Sequence, residues 1–188
     1  MPYKLDIPGW TTEADLKAIE SLAKRVPRHG LVVEIGTFLG RSIWAWCKSV
    51  DPSVTVIGVD PLGWLPEAGA HSMFGETYNS SLGAKALFDH YTKDCTNLRM
   101  ITEPSMAWDS RNIQPDLVFV DAQHKLPWVA FDLAFWYARL KPNGTMCGDD
   151  YDAPHPDVVS TVNAFAFDLH TEARRLGSKL WAIDFGKT

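Results

Sequence analysis

A chain of 188 residues is long enough to bury a sizeable core and short enough to form a single domain, residues 1–188. Its net charge of −5, with no basic run, argues against a nucleic-acid partner, because phosphate neutralisation needs clustered Lys and Arg. No apolar run approaches membrane-spanning length, the N-terminus has no apolar signal core, and Cys47, Cys95 and Cys147 form no CxxC pair, so a cytoplasmic protein away from membranes is expected.

The first element is a helix over residues 12–26. Thr11 or Thr12 caps it, and Leu16, Ile19, Leu22, Ala23 and Val26 recur at the helical period until Pro27 and Gly30 end it. It is expected to pack on a sheet edge. The apolar run Leu31 to Ile35 then reads as a strand buried on both faces, as in a parallel sheet. It runs into Glu34-Ile35-Gly36-Thr37-Phe38-Leu39-Gly40-Arg41-Ser42, with a helix following over Ile43 to Val50. Glycine lets a ligand approach the backbone, and a helix start offers unpaired N–H groups and partial positive charge. The loop therefore suits something with an anionic end. Its E-x-G-x-x-x-G spacing is neither the G-x-G-x-x-G of dinucleotide loops nor a Walker motif with its lysine. The plainer alternative is a glycine-rich turn of any α/β protein. Trp44 and Trp46 read as core.

A second strand, Thr55 to Asp60, ends in an acid 24 residues past Gly36. At that position a carboxylate can accept hydrogen bonds from both hydroxyls of a ribose; the alternative is a turn residue before Pro61. Residues 61–81 are irregular and long for a connection, which fits either a lid or a plain surface loop. A helix over residues 82–92 and a strand over 98–102 follow. Ser105 is placed to cap a short helix. The run Asp116 to Asp121 is a fourth strand, Leu126 to Leu140 an amphipathic helix stopped by Pro142 and Gly144, and Thr145 to Tyr151 a fifth strand. His155-Pro156 opens a helix reaching Phe167. Stretches near 173–176 and 180–185 close the chain, with Gly177-Ser178 as a two-residue hairpin turn. Right-handed crossovers make this alternation a doubly wound α/β core with a C-terminal antiparallel hairpin.

Asp60, Asp121, Asp149 and Asp150 all fall at C-terminal strand ends, on one rim. Carboxylates this close resist ionising unless a cation compensates, and an all-oxygen set suits Mg²⁺, Mn²⁺ or Ca²⁺. Alternatively, Asp149 and Asp150 merely cap the turn before Tyr151.

The glycine loop resembles the first motif of class I S-adenosyl-L-methionine (SAM) methyltransferases. Asp121-x-x-His124, Asp132-Leu133, Trp136, Pro142-x-Gly144 and Gly148-Asp149-Asp150-Tyr151 resemble, more narrowly, a branch of small-molecule O-methyltransferases. The resemblance runs from about Val32 to Phe165 and implies a Rossmann-like, seven-stranded methyltransferase sheet. It implies SAM held by Glu34, Gly36, Thr37, Phe38, Gly40, Ser42, Asp60, Pro61, Ser105, Met106 and Asp121, with Glu34 and Gly36 beneath the methionyl end and Ser42 near its carboxylate. Metal-dependent relatives place a divalent ion on acids matching Asp121, Asp149 and Asp150. Two departures stand out: Ala122 replaces a glycine, and Gln123 replaces an acid that serves some relatives as general base.

The first reading is thus SAM-dependent methylation of a small-molecule hydroxyl, divalent-metal-assisted, with Asp121 and His124 at the chemistry. His124 is the best remaining base candidate because an imidazole can take up a proton near neutral pH; the alternative is a structural histidine hydrogen-bonded under the loop. Two alternatives stay open: a SAM-binding protein without turnover, and a nucleotide-dependent oxidoreductase on a similar sheet. The partner expected is a small-molecule acceptor, not nucleic acid or membrane, and a homodimer is compatible with this reading.

Overall fold

The computed structural model describes residues 3–63 and 83–186. Seven strands form one sheet: β1 (Leu31–Ile35), β2 (Thr55–Val59), β3 (Leu98–Ile101), β4 (Leu117–Val120), β5 (Thr145–Gly148), β6 (Arg174–Leu176) and β7 (Leu180–Asp184). Their order is β3-β2-β1-β4-β5-β7-β6. The first five pair in parallel, and β7 runs antiparallel to both β5 and β6. Among the described residues the helices are α1 (Glu13–Ala23), α2 (Arg41–Ser49), α3 (Gly83–Thr92), α4 (Trp128–Tyr137) and α5 (Pro156–Asp168). None of the described helices is long and apolar enough to cross a membrane. The lid expected over residues 61–81 lies outside the described residues, apart from 61–63.

Alternation along the strands explains the layers, because successive side chains leave opposite faces. Val32, Val56, Leu117, Phe119 and Cys147 share one core with the buried residues of α1, α2 and α3. Val33, Ile35, Ile57, Val59, Val118, Val120 and Met146 share the other with α4 and α5. Helices thus cover both faces, which is why β4 is apolar throughout and β1 is apolar except for Glu34.

The leading helix differs from expectation. It lies on a sheet face beside α2, not on an edge, because its stripe Leu16, Ile19 and Leu22 is buried in the first core with Leu180 and Ala182. Arg174 and Arg175 of β6 stay exposed, and a charged edge strand discourages pairing with another chain. Thr12 caps α1 in a capping box with Asp15. The same carboxylate accepts from Ser178 N (2.7 Å), Ser178 Oγ (2.6 Å) and Lys179 N (3.2 Å). Burial pushes the Asp15 carboxyl up, but these hydrogen bonds outweigh it and hold it below its ordinary value. One acid therefore fixes both the start of α1 and the turn before β7. That turn has three residues, Gly177-Ser178-Lys179, not two, since Leu176 pairs with Leu180.

Candidate active site

Strand β1 sits between β2 and β4, so the chain leaves it in one direction and returns on the other side. Open α/β sheets bind ligands at the C-terminal ends of such strands. Gly36 occupies this point with φ +81° and donates its N–H to Val59 O at 2.9 Å. A methyl group on Gly36 would stand 2.0 Å from the main-chain oxygen of Asp121. Only glycine lets the loop pass there. Gly40, at φ +100°, starts α2 with no side-chain cap.

Two side chains order this loop. Asp60 accepts from Thr37 N (2.8 Å) and Phe38 N (3.0 Å) through Oδ2, and from Leu62 N (2.7 Å) through Oδ1. The expected ribose ligand thus already ties the ends of β1 and β2 together, and Pro61 follows it exposed to solvent. Glu34 is wholly buried and accepts from Ser42 Oγ at 2.5 Å. Burial, with Asp60 and Asp149 adding to it against the Ser42 bond, pushes the Glu34 carboxyl up to about 8. Its Oε2 and the hydroxyl of Thr37 are buried without a hydrogen-bond partner among the described residues. Buried polar atoms normally have partners, so two orphans in one loop fit a bound molecule that supplies donors. The amino group of SAM is such a donor.

After β3 the chain forms turns, not the expected short helix. Ser105 Oγ instead donates to the buried Asp132 of α4 at 3.0 Å, tying this segment to the second helical layer. Met106 is half-exposed.

The acids at the ends of β4 and β5 are arranged around a residue the sequence reading missed. Lys179, in the hairpin turn, places Nζ 2.9 Å from Asp149 Oδ2 and 2.8 Å from Asp150 Oδ1. Asp149 Oδ1 accepts from Asp150 N at 2.7 Å, so Asp149 caps the turn as well as pairing with the lysine. Asp150 has φ +60°, a left-handed conformation that Asp tolerates better than most residues. Its Oδ2 lies 2.8 Å from His124 Nε2, and its Oδ1 lies 3.5 Å from His155 Nδ1. His155 Nδ1 is also 2.7 Å from Asp152 Oδ1.

The charges sort accordingly. Burial opposes ionisation of Asp150, but His124 and Lys179 outweigh it and hold this carboxyl well below the usual range. Asp149, more buried, is pushed up to about 6 despite Lys179. Burial raises Asp121 well above its ordinary value, and Asp149, Asp150 and Glu34 raise it further. Lys179 itself is held firmly charged, since the two aspartates outweigh the effect of its burial.

The three-acid metal set expected from the resemblance is not what these contacts favour. The cation that neutralises Asp149 and Asp150 is the Lys179 ammonium, which a hard divalent ion would have to displace. Among the described residues, the group whose ligand atoms come together is His124, Asp150 and His155, all within 4.8 Å of one another. Strand order could have revealed Lys179: β7 runs antiparallel beside β5, so the turn entering β7 must lie where β5 ends.

A small cavity is lined by Asp121, Gln123, His124, Asp149 and Trp181. A more open cleft, lined by Tyr151, Asp152, Ser160, Asn163 and Arg175, begins one residue past Asp150.

A sheet ordered β3-β2-β1-β4-β5-β7-β6, with a glycine loop after β1 and acids after β2, β4 and β5, defines a class I SAM-dependent methyltransferase. Residues 33–151 match the family model described as a methyltransferase domain, and the chain belongs to that family. No curated protein matches it significantly in sequence. Among solved structures it is similar to the O-methyltransferase NovP, at 18% identity and a TM-score of 0.61 over 92% of this chain and 79% of that one. An O-methyltransferase from Bacillus cereus, solved with SAH, aligns at 13% identity and 0.63, over 97% and 85%. Precorrin-6y C5,15-methyltransferase from Geobacter metallireducens aligns at 11% and 0.67, over 95% and 90%. At these identities the likeness establishes the fold.

Proposed function

We propose that this methyltransferase transfers the methyl group of SAM to a hydroxyl of a small molecule. The observation that carries the reading is the His124–Asp150 contact of 2.8 Å at the C-terminal rim, beside Asp121 and near an open cleft of mixed polar and apolar lining. Bound SAM would supply an electrophilic methyl on a sulfonium. Glu34 and Thr37 would receive its amino group, and Asp60 would meet the ribose through its remaining acceptor positions. Asp150 would hold the Nε2 proton of His124, leaving Nδ1 to take the acceptor's hydroxyl proton. In the transfer the acceptor oxygen bonds the methyl carbon as the carbon–sulfur bond breaks, giving a methyl ether and SAH. The chain's main contribution is alignment of the two reactants. The Lys179 ammonium takes the charge role on Asp149 and Asp150. The net charge of −5 favours a small acceptor over a nucleic acid, and three free, buried cysteines fit a reducing cytoplasm.

A second reading, a SAM-binding protein without turnover, is favoured by exposed Gln123 standing where some relatives carry an acid. Calorimetry with SAM, followed by transfer of labelled methyl to a panel of hydroxylated small molecules, separates the two. Tight SAM binding with no labelled product from any acceptor class supports the second; absence of SAM binding overturns both.

A further inference from the structure

We infer that His124, Asp150 and His155 form a binding site for a borderline divalent transition-metal ion such as Zn²⁺ or Co²⁺, distinct in donor chemistry from a three-carboxylate site. Their ligand atoms already lie within 4.8 Å of one another. Ligands about 2.0–2.2 Å from Zn²⁺ stand roughly 3.4 Å apart around a tetrahedron, so small side-chain rotations close the set. His124 Nε2 and Asp150 Oδ2 are 2.8 Å apart, so a bound ion would take the place of the proton between them, and the two imidazole rings meet edge to face with centroids 5.0 Å apart.

The surroundings divide the work of Asp150 between its two oxygens. Oδ1 is held by Lys179 at 2.8 Å and lies 3.5 Å from His155 Nδ1, while Oδ2 faces His124 at 2.8 Å. Lys179 is itself fixed, with its N–H on Asp15 and its carbonyl accepting from Tyr151 N at 2.8 Å. The carboxylate is thus oriented without using its metal-facing oxygen. Asp152 holds His155 Nδ1 at 2.7 Å, the way carboxylates fix metal-bound imidazoles through the ring nitrogen not on the metal, so Nε2 is the nitrogen His155 would offer an ion. Two imidazoles and one carboxylate suit Zn²⁺, Co²⁺ or Ni²⁺, whereas Mg²⁺ and Ca²⁺ prefer oxygen alone. Three protein ligands leave positions in the shell for water or an acceptor oxygen. The alternative is that both histidines serve only as ion-pair partners of Asp150 and Asp152.

The test uses the full chain, stripped of metal by chelation and dialysis, and titrated with Co²⁺ alone. The expected result is one Co²⁺ per chain by equilibrium dialysis, with the visible d–d absorption of an imidazole-ligated site that excess Mg²⁺ leaves unchanged. His155→Ala and His124→Ala should each weaken binding at least about tenfold while the metal-free unfolding midpoint stays near that of the parent chain. If His124→Ala fails to fold, His155→Ala and His155→Gln decide the matter. Absence of the band, equal affinity in the His155 variants, or displacement of Co²⁺ by Mg²⁺ overturns the inference. The measurement needs neither SAM nor an acceptor, so its failure and a failure of the methyl-transfer reading are distinguishable.

Discussion

The ideal Cβ position of Gly36 lies 2.0 Å from the main-chain oxygen of Asp121, so the loops after β1 and β4 touch where only a hydrogen atom fits. Gly36→Ala adds both that clash and a positive-φ strain of about 1–3 kcal/mol. The variant is expected to lose at least about 2 kcal/mol of stability and to bind SAM poorly, because relieving the clash pushes the loops apart. Urea unfolding and calorimetry check it. Parent-like stability together with parent-like SAM affinity would mean that the two loops move freely past each other.

Glu34 makes stability pH-dependent, and the sign follows from its burial. Its ordinary value is 4.5 and the fold raises it to about 8. Between these values the folded chain keeps a proton that the unfolded chain has lost. Its contribution is therefore intact below about pH 4.5 and falls as pH rises, by up to about 1.4 kcal/mol per pH unit, until it levels off above about 8. Glu34→Gln should flatten that fall. If the SAM amino group docks on this carboxyl, its positive charge draws the proton off. Calorimetry near pH 7 in buffers of different ionisation enthalpy should then show up to one proton released per SAM bound, and none for Glu34→Gln. Equal apparent enthalpies in all buffers for the parent chain would remove Glu34 from the amino-acid end of the site.

Much of this was legible in the sequence because a parallel sheet turns strand ends into a common rim. Asp60, Asp121, Asp149 and Asp150 could be placed there from strand boundaries alone, and E-x-G-x-x-x-G marked the turn that Gly36 makes. Partners that come from far along the chain were not legible. Asp15 reaches Ser178 and Lys179 across more than 160 residues, and no local pattern signals that contact. The metal expectation counted acids on β4 and β5 without counting the lysine that β7 brings between them. Ser105 likewise read as a local cap, while its hydroxyl crosses to Asp132 on α4.

Asp60 is expected to act twice. It accepts from the Thr37 and Phe38 amides at 2.8 and 3.0 Å, and it is placed to meet the ribose. Asp60→Ala should weaken SAM binding by about 1.5–3 kcal/mol, the range for hydrogen bonds that involve a charge. It should also speed amide exchange at Thr37 and Phe38 in the absence of any ligand. Weaker binding with unchanged exchange would confine Asp60 to ribose recognition; faster exchange with unchanged binding would confine it to holding the loop.

Lys179 should be the costliest surface-proximal residue to neutralise. Its ammonium is the partner of Asp149 Oδ2 at 2.9 Å and of Asp150 Oδ1 at 2.8 Å, and both aspartates are buried. Removing one partner of a buried ion pair leaves the other uncompensated, at a cost of about 3–5 kcal/mol. Lys179→Met keeps the length of the side chain and removes the charge, so the loss it causes reports the charge. Lys179→Arg keeps the charge and should retain more stability, though the planar guanidinium cannot repeat the geometry of an ammonium. In the double variant Lys179→Met with Asp149→Asn one of the stranded carboxylates is gone, so the second substitution should restore part of the loss. Unfolding curves for the four chains form a cycle. An Asp149→Asn substitution that destabilises the Lys179→Met chain as much as it does the parent would show that Lys179 and Asp149 do not interact energetically, and the charge assignment at the end of β5 would have to be redrawn.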